Sequence, residues 1–252
     1  PVILACVFLV TLLAAVPFSM MVREALRTHL GNSMVAEQAA RELRDHRLLA
    51  ALGCERPAAH DLEVLRVQPV LGAAVVEAAA GRSYEQELSS RVLDPMELQA
   101  TVLPNSPEMP DPHAEGYEYP DESEGAGELE NVTTALDPSA AWASGALVST
   151  SSDLSRFFRG LLGGELVGEG TLEQMKETLA GEGSPSGPGT KRAGLGIFSY
   201  ELPCGEVWGH TGQFPGYQAF GAATPDGSGA LAMMANATQI PEEANEALVY
   251  AQ

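Results

Sequence analysis

The sequence predicts an α+β fold, an antiparallel sheet flanked by helices, with an N-terminal membrane helix ahead of it. Three observations lead there. Apolar residues at helical spacing fill residues 70 to 95 and 150 to 176, strand patterns fill 194 to 237, and a proline-led acidic segment, PEEANEALVYAQ, closes the chain as a last helix. Helices grouped ahead of consecutive strands indicate segregated layers rather than alternating βαβ units.

Composition narrows the function classes. Of 252 residues 45% are hydrophobic, enough for a packed core. The 14 basic and 34 acidic side chains leave a formal charge of -20. Nucleic-acid affinity rests on Lys and Arg displacing counterions, so no nucleic-acid partner is expected. Cys6, Cys54 and Cys204 share no C-x-x-C spacing, which argues against a disulfide framework. Three separate thiols and a single Cys54 to Cys204 bridge both stay open.

Residues 1 to 22, PVILACVFLVTLLAAVPFSMMV, carry no charged side chain, and a helix of that length matches the roughly 30 Å hydrocarbon layer. The segment reads as a transmembrane or signal-anchor helix rather than a cleaved signal, which has a shorter apolar core and an Ala-x-Ala-like site. A membrane-anchored protein with its folded domain outside the cytoplasm is expected. Residues 23 to 69 are unassigned and partly helical. Within them Val35, Ala39, Leu43 and Leu49 define an amphipathic helix over 34 to 52, closed by Gly53, with His46 on its solvated face.

The main domain is expected over 70 to 252. VLGAAVVEAAA is an apolar helix stopped by Gly81; Ser83 and Gln86 then form a capping box for a second helix ended by Pro95. Residues 104 to 130, dense in Pro, Gly, Asp and Glu, form an acidic surface loop. In STSSDLSRFFRGLLGG, hydroxyls cap a helix that buries Leu154, Phe157, Phe158, Leu161 and Leu162, and Gly163 stops it. Thr171 and Gln174 open another helix by the same logic, and a loop follows at 181 to 193. The strands are GLGIFSYEL, EVWGH and YQAFGAATPDGSGALAMMANA, with Asp226 and Gly227 at a tight hairpin turn.

Chemistry concentrates in one place. His210, Thr211 and Gly212 follow the short strand EVWG, and Gly209 and Gly216 lie nearby. A polar side chain, a hydroxyl and a glycine along an edge strand let a carboxylate- or amide-bearing ligand pair with free backbone groups. The backbone N–H of Gln213 can serve a developing oxyanion. The competing reading is a plain turn with a solvated histidine. No metal or cofactor is expected: the carboxylates of 104 to 130 lack a D-x-D-x-D-G pattern, and His29, His46, His60, His113 and His210 form no H-x-H or H-E-x-x-H pair. GSPSG at 183 to 187 lacks the strand-to-helix setting of a nucleophile elbow, so Ser184 and Ser186 are not nucleophile candidates. Asn131-Val132-Thr133 and Asn236-Ala237-Thr238 fit the glycosylation sequon, and chance explains both.

The runs LVSTSSDLSRFFRGLLGGELV and GLGIFSYELPCGEVWGHTGQFPGYQAFGAATPDGSGALAMMANAT, preceded by VLGAAVVEAAAGRSYEQELSSRVLDPMEL, resemble the C-terminal half of the penicillin-recognising serine hydrolases. More narrowly, they resemble the group that holds class C β-lactamases and D-alanyl-D-alanine carboxypeptidases. The resemblance implies a β-lactamase/transpeptidase-like fold and an acyl-serine mechanism on cell-wall peptides or β-lactams. It implies that His210, Thr211 and Gly212 line the acyl pocket and that Gln213 supplies an oxyanion-hole N–H. His210, Thr211 and Gln213 are thus the catalytic candidates, and the four together the substrate-binding ones.

The departures are specific. The family nucleophile sits in Ser-x-x-Lys, where an amine activates a poorly nucleophilic hydroxyl. Here Lys176 and Lys191 are preceded three places earlier by Glu173 and Pro188, and none of the six tyrosines begins a Tyr-x-Asn. The first expectation is therefore a family member that is inactive as this chain. The second is a non-catalytic, membrane-anchored module that binds a small-molecule, peptide or protein partner, and the third a tethered structural protein whose acidic loop faces its partners.

Overall fold

The computed structural model describes residues 3–4, 72–73, 76–118, 129–135, 137–177 and 190–238. The expected helices at 34 to 52 and 241 to 252 and nearly all of the expected membrane segment lie outside these residues. Ile3–Leu4, the part of that segment described, is extended and not helical: it forms β1, paired antiparallel with β4, Val148–Ser149. Among the described residues no helix is long and apolar enough to cross a membrane.

The first secure helical unit follows its local code. Residues 76 to 80 are helical and stop at Gly81. Helix α1, Tyr84–Leu88, opens with the expected capping box, in which the Gln86 N–H donates to the Ser83 hydroxyl and the Ser83 N–H to the Gln86 side chain. It continues as a π-helical turn over Ser89–Leu93 before the chain turns at Pro95. Tyr84, Leu88 and Val92 are buried. Buried Glu87 is paired with both Arg82 and Arg91, which offsets the burial of its polar end.

Helix α2, Ser151–Leu162, is capped by Thr150, whose hydroxyl accepts from the Asp153 N–H, and it ends at Gly163 as expected. Its apolar stripe, Leu154, Phe157, Phe158, Leu161 and Leu162, is buried, each side chain stabilising the fold by roughly 2 kcal/mol through area removed from water. Asp153 is buried too, but its carboxylate accepts from the Ala100 N–H and the Thr101 hydroxyl, both at 2.9 Å. Thr101 in turn shares a 2.7 Å hydrogen bond with the Ser149 hydroxyl. This chain of bonds ties the start of α2 to β4 and to the segment after α1.

Helix α3 departs from its expected start. It runs Glu169–Lys176 with Gly168 as N-cap, so Thr171 lies inside the first turn and makes no cap.

The sheet has five antiparallel strands in sequence order: β5 Thr190–Ala193, β6 Phe198–Leu202, β7 Gly205–Phe214, β8 Tyr217–Ala223 and β9 Ala230–Ala235. β5 occupies the end of the expected 181 to 193 loop. Helix α2 packs on β8 and β9. Gly221 makes this approach close, since a Cβ there would stand 2.5 Å from the Phe158 ring and 2.8 Å from Leu154. Trp208, Ala219 and Ala223 face the helix core, while Tyr200, Val207, Phe220 and Ala222 form a cluster on the opposite face. The β8–β9 connection is wider than the two-residue turn the Asp-Gly pair suggests. Thr224 N–H donates to Gly229 C=O at 2.9 Å, and Asp226 accepts from the Thr224 and Ser228 hydroxyls inside that loop.

The acidic stretch is not wholly irregular. Tyr117–Glu118 (β2) pairs antiparallel with Glu130–Asn131 (β3), and this ribbon lies beside the β7–β8 turn.

Candidate functional site

Strand β7 carries all four candidate residues, and its two halves have different neighbours. Its pairing with β6 runs from Gly205, opposite Leu202, to Gly209, opposite Phe198, and stops there. At that point β6 turns back through Leu195 and Gly196 into β5, closed by Gly194 N–H donating to Ile197 C=O at 2.8 Å. Pairing with β8 continues to the end, from Trp208 opposite Ala223 to Phe214 opposite Tyr217. Among the described residues, therefore, 210 to 214 are paired on one side only. The expectation of an edge strand holds for this half; the strand as a whole lies in the middle of the sheet.

The hydrogen-bond parity of the ladder shows which groups point outward. In antiparallel pairs, residues alternate between those bonded to one neighbour and those bonded to the other. Gly194 and Ile197 are a bonded pair, so Phe198, Tyr200 and Leu202 bond to Gly209, Val207 and Gly205. The Thr224 to Gly229 bond independently assigns Ala223, Gly221, Ala219 and Tyr217 to Trp208, His210, Gly212 and Phe214. Both routes give the same result: the backbone N–H and C=O of Thr211 and Gln213 point away from β8, toward the side that β6 has left. The N–H of Gln213 thus points out along a strand edge that is unpaired among the described residues.

His210 has a defined state. Its ring stacks edge-on against Phe198, centroids 5.1 Å apart, and its Nδ1 lies 2.5 Å from the Thr211 carbonyl oxygen. Burial pushes its pKa down to about 4, against a partial upward pull from that hydrogen bond. The ring is neutral at pH 7 with Nδ1–H as donor, so the Thr211 carbonyl is engaged and the ring brings no positive charge to a ligand carboxylate. The Gln213 N–H and C=O form an outward donor and acceptor of one residue, the arrangement a further strand would use. Gly212 is buried and Gln213 exposed.

Further residues hold this edge that the sequence pattern did not single out. In the turn Pro215–Gly216, the Gly216 N–H donates to the Thr238 hydroxyl at 2.6 Å. Tyr217, 1% exposed, donates its phenol to the Ala114 carbonyl at 2.9 Å. The Gln218 side-chain amide donates to the Thr238 carbonyl. These contacts join segments that are distant in sequence, and no local spacing announces them. The two sequons meet here, Asn131 donating to the Glu115 carboxylate and Asn236 to the Glu115 carbonyl, both at 2.9 Å. Cys204, at the β6–β7 turn, is a free and exposed thiol.

A family model described as Beta-lactamase matches residues 69–252. The chain belongs to the β-lactamase family. Among solved structures it is similar to a D-stereospecific amidohydrolase from Streptomyces sp., at 31% identity over 79% of this chain and 56% of that one, with a TM-score of 0.64. It is similar also to the D-amino acid amidase of Ochrobactrum anthropi SV3, at 26% identity over 67% of this chain and 48% of that one, TM-score 0.58. A penicillin binding protein from Bacillus halodurans, 16% identical over 72% of this chain and 53% of that one, TM-score 0.57, shares the fold. The chain spans about half the length of these proteins.

Proposed function

We propose that residues 70 to 252 form one wall of an acyl-transfer pocket of the serine β-lactamase type, and that this chain holds its ligand there without forming an acyl-enzyme. The carrying observation is the open half of β7, where Gln213 presents an outward N–H and C=O beside His210, Thr211 and Gly212. The ligand class is a peptide, amide or β-lactam with a D-configured centre next to the reacting carbonyl. The similar proteins described as a D-stereospecific amidohydrolase and a D-amino acid amidase support that class. The sequence departures support the absence of acyl chemistry: neither lysine lies three places after a serine, and no Tyr-x-Asn is present. An oxyanion donor without an attacking hydroxyl polarises a carbonyl but breaks no bond.

The test is a pair of measurements on the full chain. A fluorescent penicillin is expected to leave no covalent label after denaturing electrophoresis, and a labelled serine overturns the inactive reading. Calorimetric titration with N-acetyl-D-alanyl-D-alanine is expected to show saturable binding that the Gln213→Pro variant loses. Membrane anchoring with the folded domain outside the cytoplasm has the uncharged stretch 1 to 22 in its favour and the pairing of Ile3–Leu4 with β4 against it. Resistance to carbonate extraction and cleavage of the domain by external protease are the expected results.

A further inference from the structure

The Gln213 N–H sits two residues before a turn that is bolted to two other parts of the chain. From the first, the segment 114 to 118, Gly116 lies so close over the turn that a Cβ would stand 2.4 Å from the Tyr217 ring and 3.0 Å from the Gly216 oxygen. Tyr217 fixes that stacking through its phenol, which donates to the Ala114 carbonyl 103 residues earlier. From the second, the extension of β9, the Thr238 hydroxyl accepts from the Gly216 N–H and its carbonyl from the Gln218 side chain. The two anchors are themselves joined. Tyr117 N–H donates to Asn236 C=O at 3.0 Å, and Thr238 N–H to Tyr117 C=O at 3.1 Å. Val132 N–H donates to Gly116 C=O at 2.9 Å, which ties in β3. The turn is thereby held from the strap on one side and from β9 on the other, while β7 beyond Gly209 has no strand on its open side among the described residues. A one-sided strand keeps its backbone direction only as well as its end is fixed.

We propose that Tyr217 and Thr238 are positioning residues for the Gln213 backbone N–H, acting through the Pro215–Gly216 turn. The phenol and the hydroxyl set the angle at which the open edge leaves β8, and the strap formed by 114 to 118 with 130 to 133 transmits its own position to that edge. The consequence for ligand binding rests on the pocket reading above; the coupling of the turn to the strap does not. A donor displaced by a fraction of an ångström loses much of its contribution, because hydrogen bonds weaken steeply with misalignment.

Amide resonances of the ¹⁵N-labelled full chain test this without a ligand. In Tyr217→Phe, which keeps the ring packing, and in Thr238→Val, the Gln213 and Thr211 amides are expected to shift and broaden while those of β5 and β6 stay in place. Thr238→Ser is expected to restore the wild-type positions. Tyr200→Phe, which removes a buried phenol on the opposite face with no hydrogen-bond partner among the described residues, is expected to leave Gln213 unmoved. Titration with N-acetyl-D-alanyl-D-alanine then reads an affinity weakened about tenfold in Tyr217→Phe and Thr238→Val. A Gln213 amide that is unchanged in both variants overturns the proposal. Displaced amides in the variants together with a wild-type chain that binds no ligand uphold the positioning and overturn the pocket reading instead.

Discussion

The two halves of β7 share one strand but differ in how they are paired. From Gly205 to Gly209 the backbone is bonded on both sides, to β6 and β8, and Val207 and Trp208 are buried on the two faces. From His210 to Phe214 one side is bonded and the other offers Thr211 and Gln213 outward. Nothing in backbone chemistry distinguishes the halves. The difference comes from where the β5–β6 turn takes the neighbouring strand away, at Phe198. Among the described residues the second half is left paired on one side because its neighbour ends early.

The comparison breaks most sharply under proline substitution, which removes one N–H at a chosen point. Val207→Pro deletes a ladder donor between two strands and is expected to destabilise the fold by about 3 kcal/mol or more. Gln213→Pro deletes an N–H that no ladder uses among the described residues and is expected to cost about 1 kcal/mol or less, since prolines are tolerated on open strand edges. Urea denaturation of the two variants measures the contrast. Equal losses at both positions would show that the second half is covered after all, and would remove the basis of the proposed site.

Next in size is the acid response of the open half. His210 titrates near 6.5 unfolded and about 4 folded. Between those values the unfolded chain binds the proton more readily, so the stability linked to this group is complete above about pH 6.5 and is lost as pH falls toward 4. The loss is on the order of 1–2 kcal/mol after allowance for the partial exposure of the ring. The Glu85 and Asp226 carboxyls are held below their usual range by hydrogen bonds, Glu85 chiefly from Trp142 and Asp226 chiefly from Thr224. Their losses therefore come at lower pH. Stability measured from pH 7 to 4 is expected to slope in the wild type and to flatten in His210→Gln.

A smaller effect separates the sheet's outer face from its edge. Tyr200 is fully buried and its phenol has no hydrogen-bond partner among the described residues, and the desolvation raises its pKa well above the usual value. Tyr200→Phe is expected to raise stability by up to about 1 kcal/mol, because removing an unsatisfied buried hydroxyl releases its desolvation penalty. A loss of stability in thermal unfolding would show that the hydroxyl is satisfied in solution, by water for instance.

How much of this was written in the sequence depends on the range of the interaction. Ser83 with Gln86, Thr150 with Asp153, and the stripe from Leu154 to Leu162 are short-range codes, and each appears in the fold where its spacing places it. The strand text around EVWGH locates β7, and the resemblance to penicillin-recognising hydrolases locates its family. Local codes fail where a competing partner is near: Thr171 has hydroxyl and spacing for a cap, but Gly168 starts the helix a turn earlier. They fail also where structure depends on distant pairing. Residues 117–118 and 130–131 read as part of an acidic loop, yet they form a ribbon because Asn236, Thr238 and the β7–β8 turn give it partners. That β7 is unpaired on one side from His210 onward among the described residues follows from the point where β6 ends, which no residue within β7 encodes.

The smallest expected effect concerns that ribbon. In the β2–β3 pair Glu118 stands directly opposite Glu130, a cross-strand juxtaposition of like charges. Such a pair opposes the ribbon by a few tenths of a kcal/mol, and an opposite-charge pair favours it by a similar amount. Glu118→Lys is therefore expected to stabilise the ribbon by about 0.2–1 kcal/mol, and less at high salt because both positions meet solvent. The readout is local: slower amide exchange at Val132, whose N–H bonds to Gly116 beneath the turn. If the strap positions the open half of β7, the same substitution sharpens the Gln213 amide resonance while leaving Val207 in the closed half unchanged. A tighter ribbon with an indifferent Gln213 would mean that strap and edge are neighbours without being coupled, and the two halves of β7 would then differ in hydrogen bonding alone.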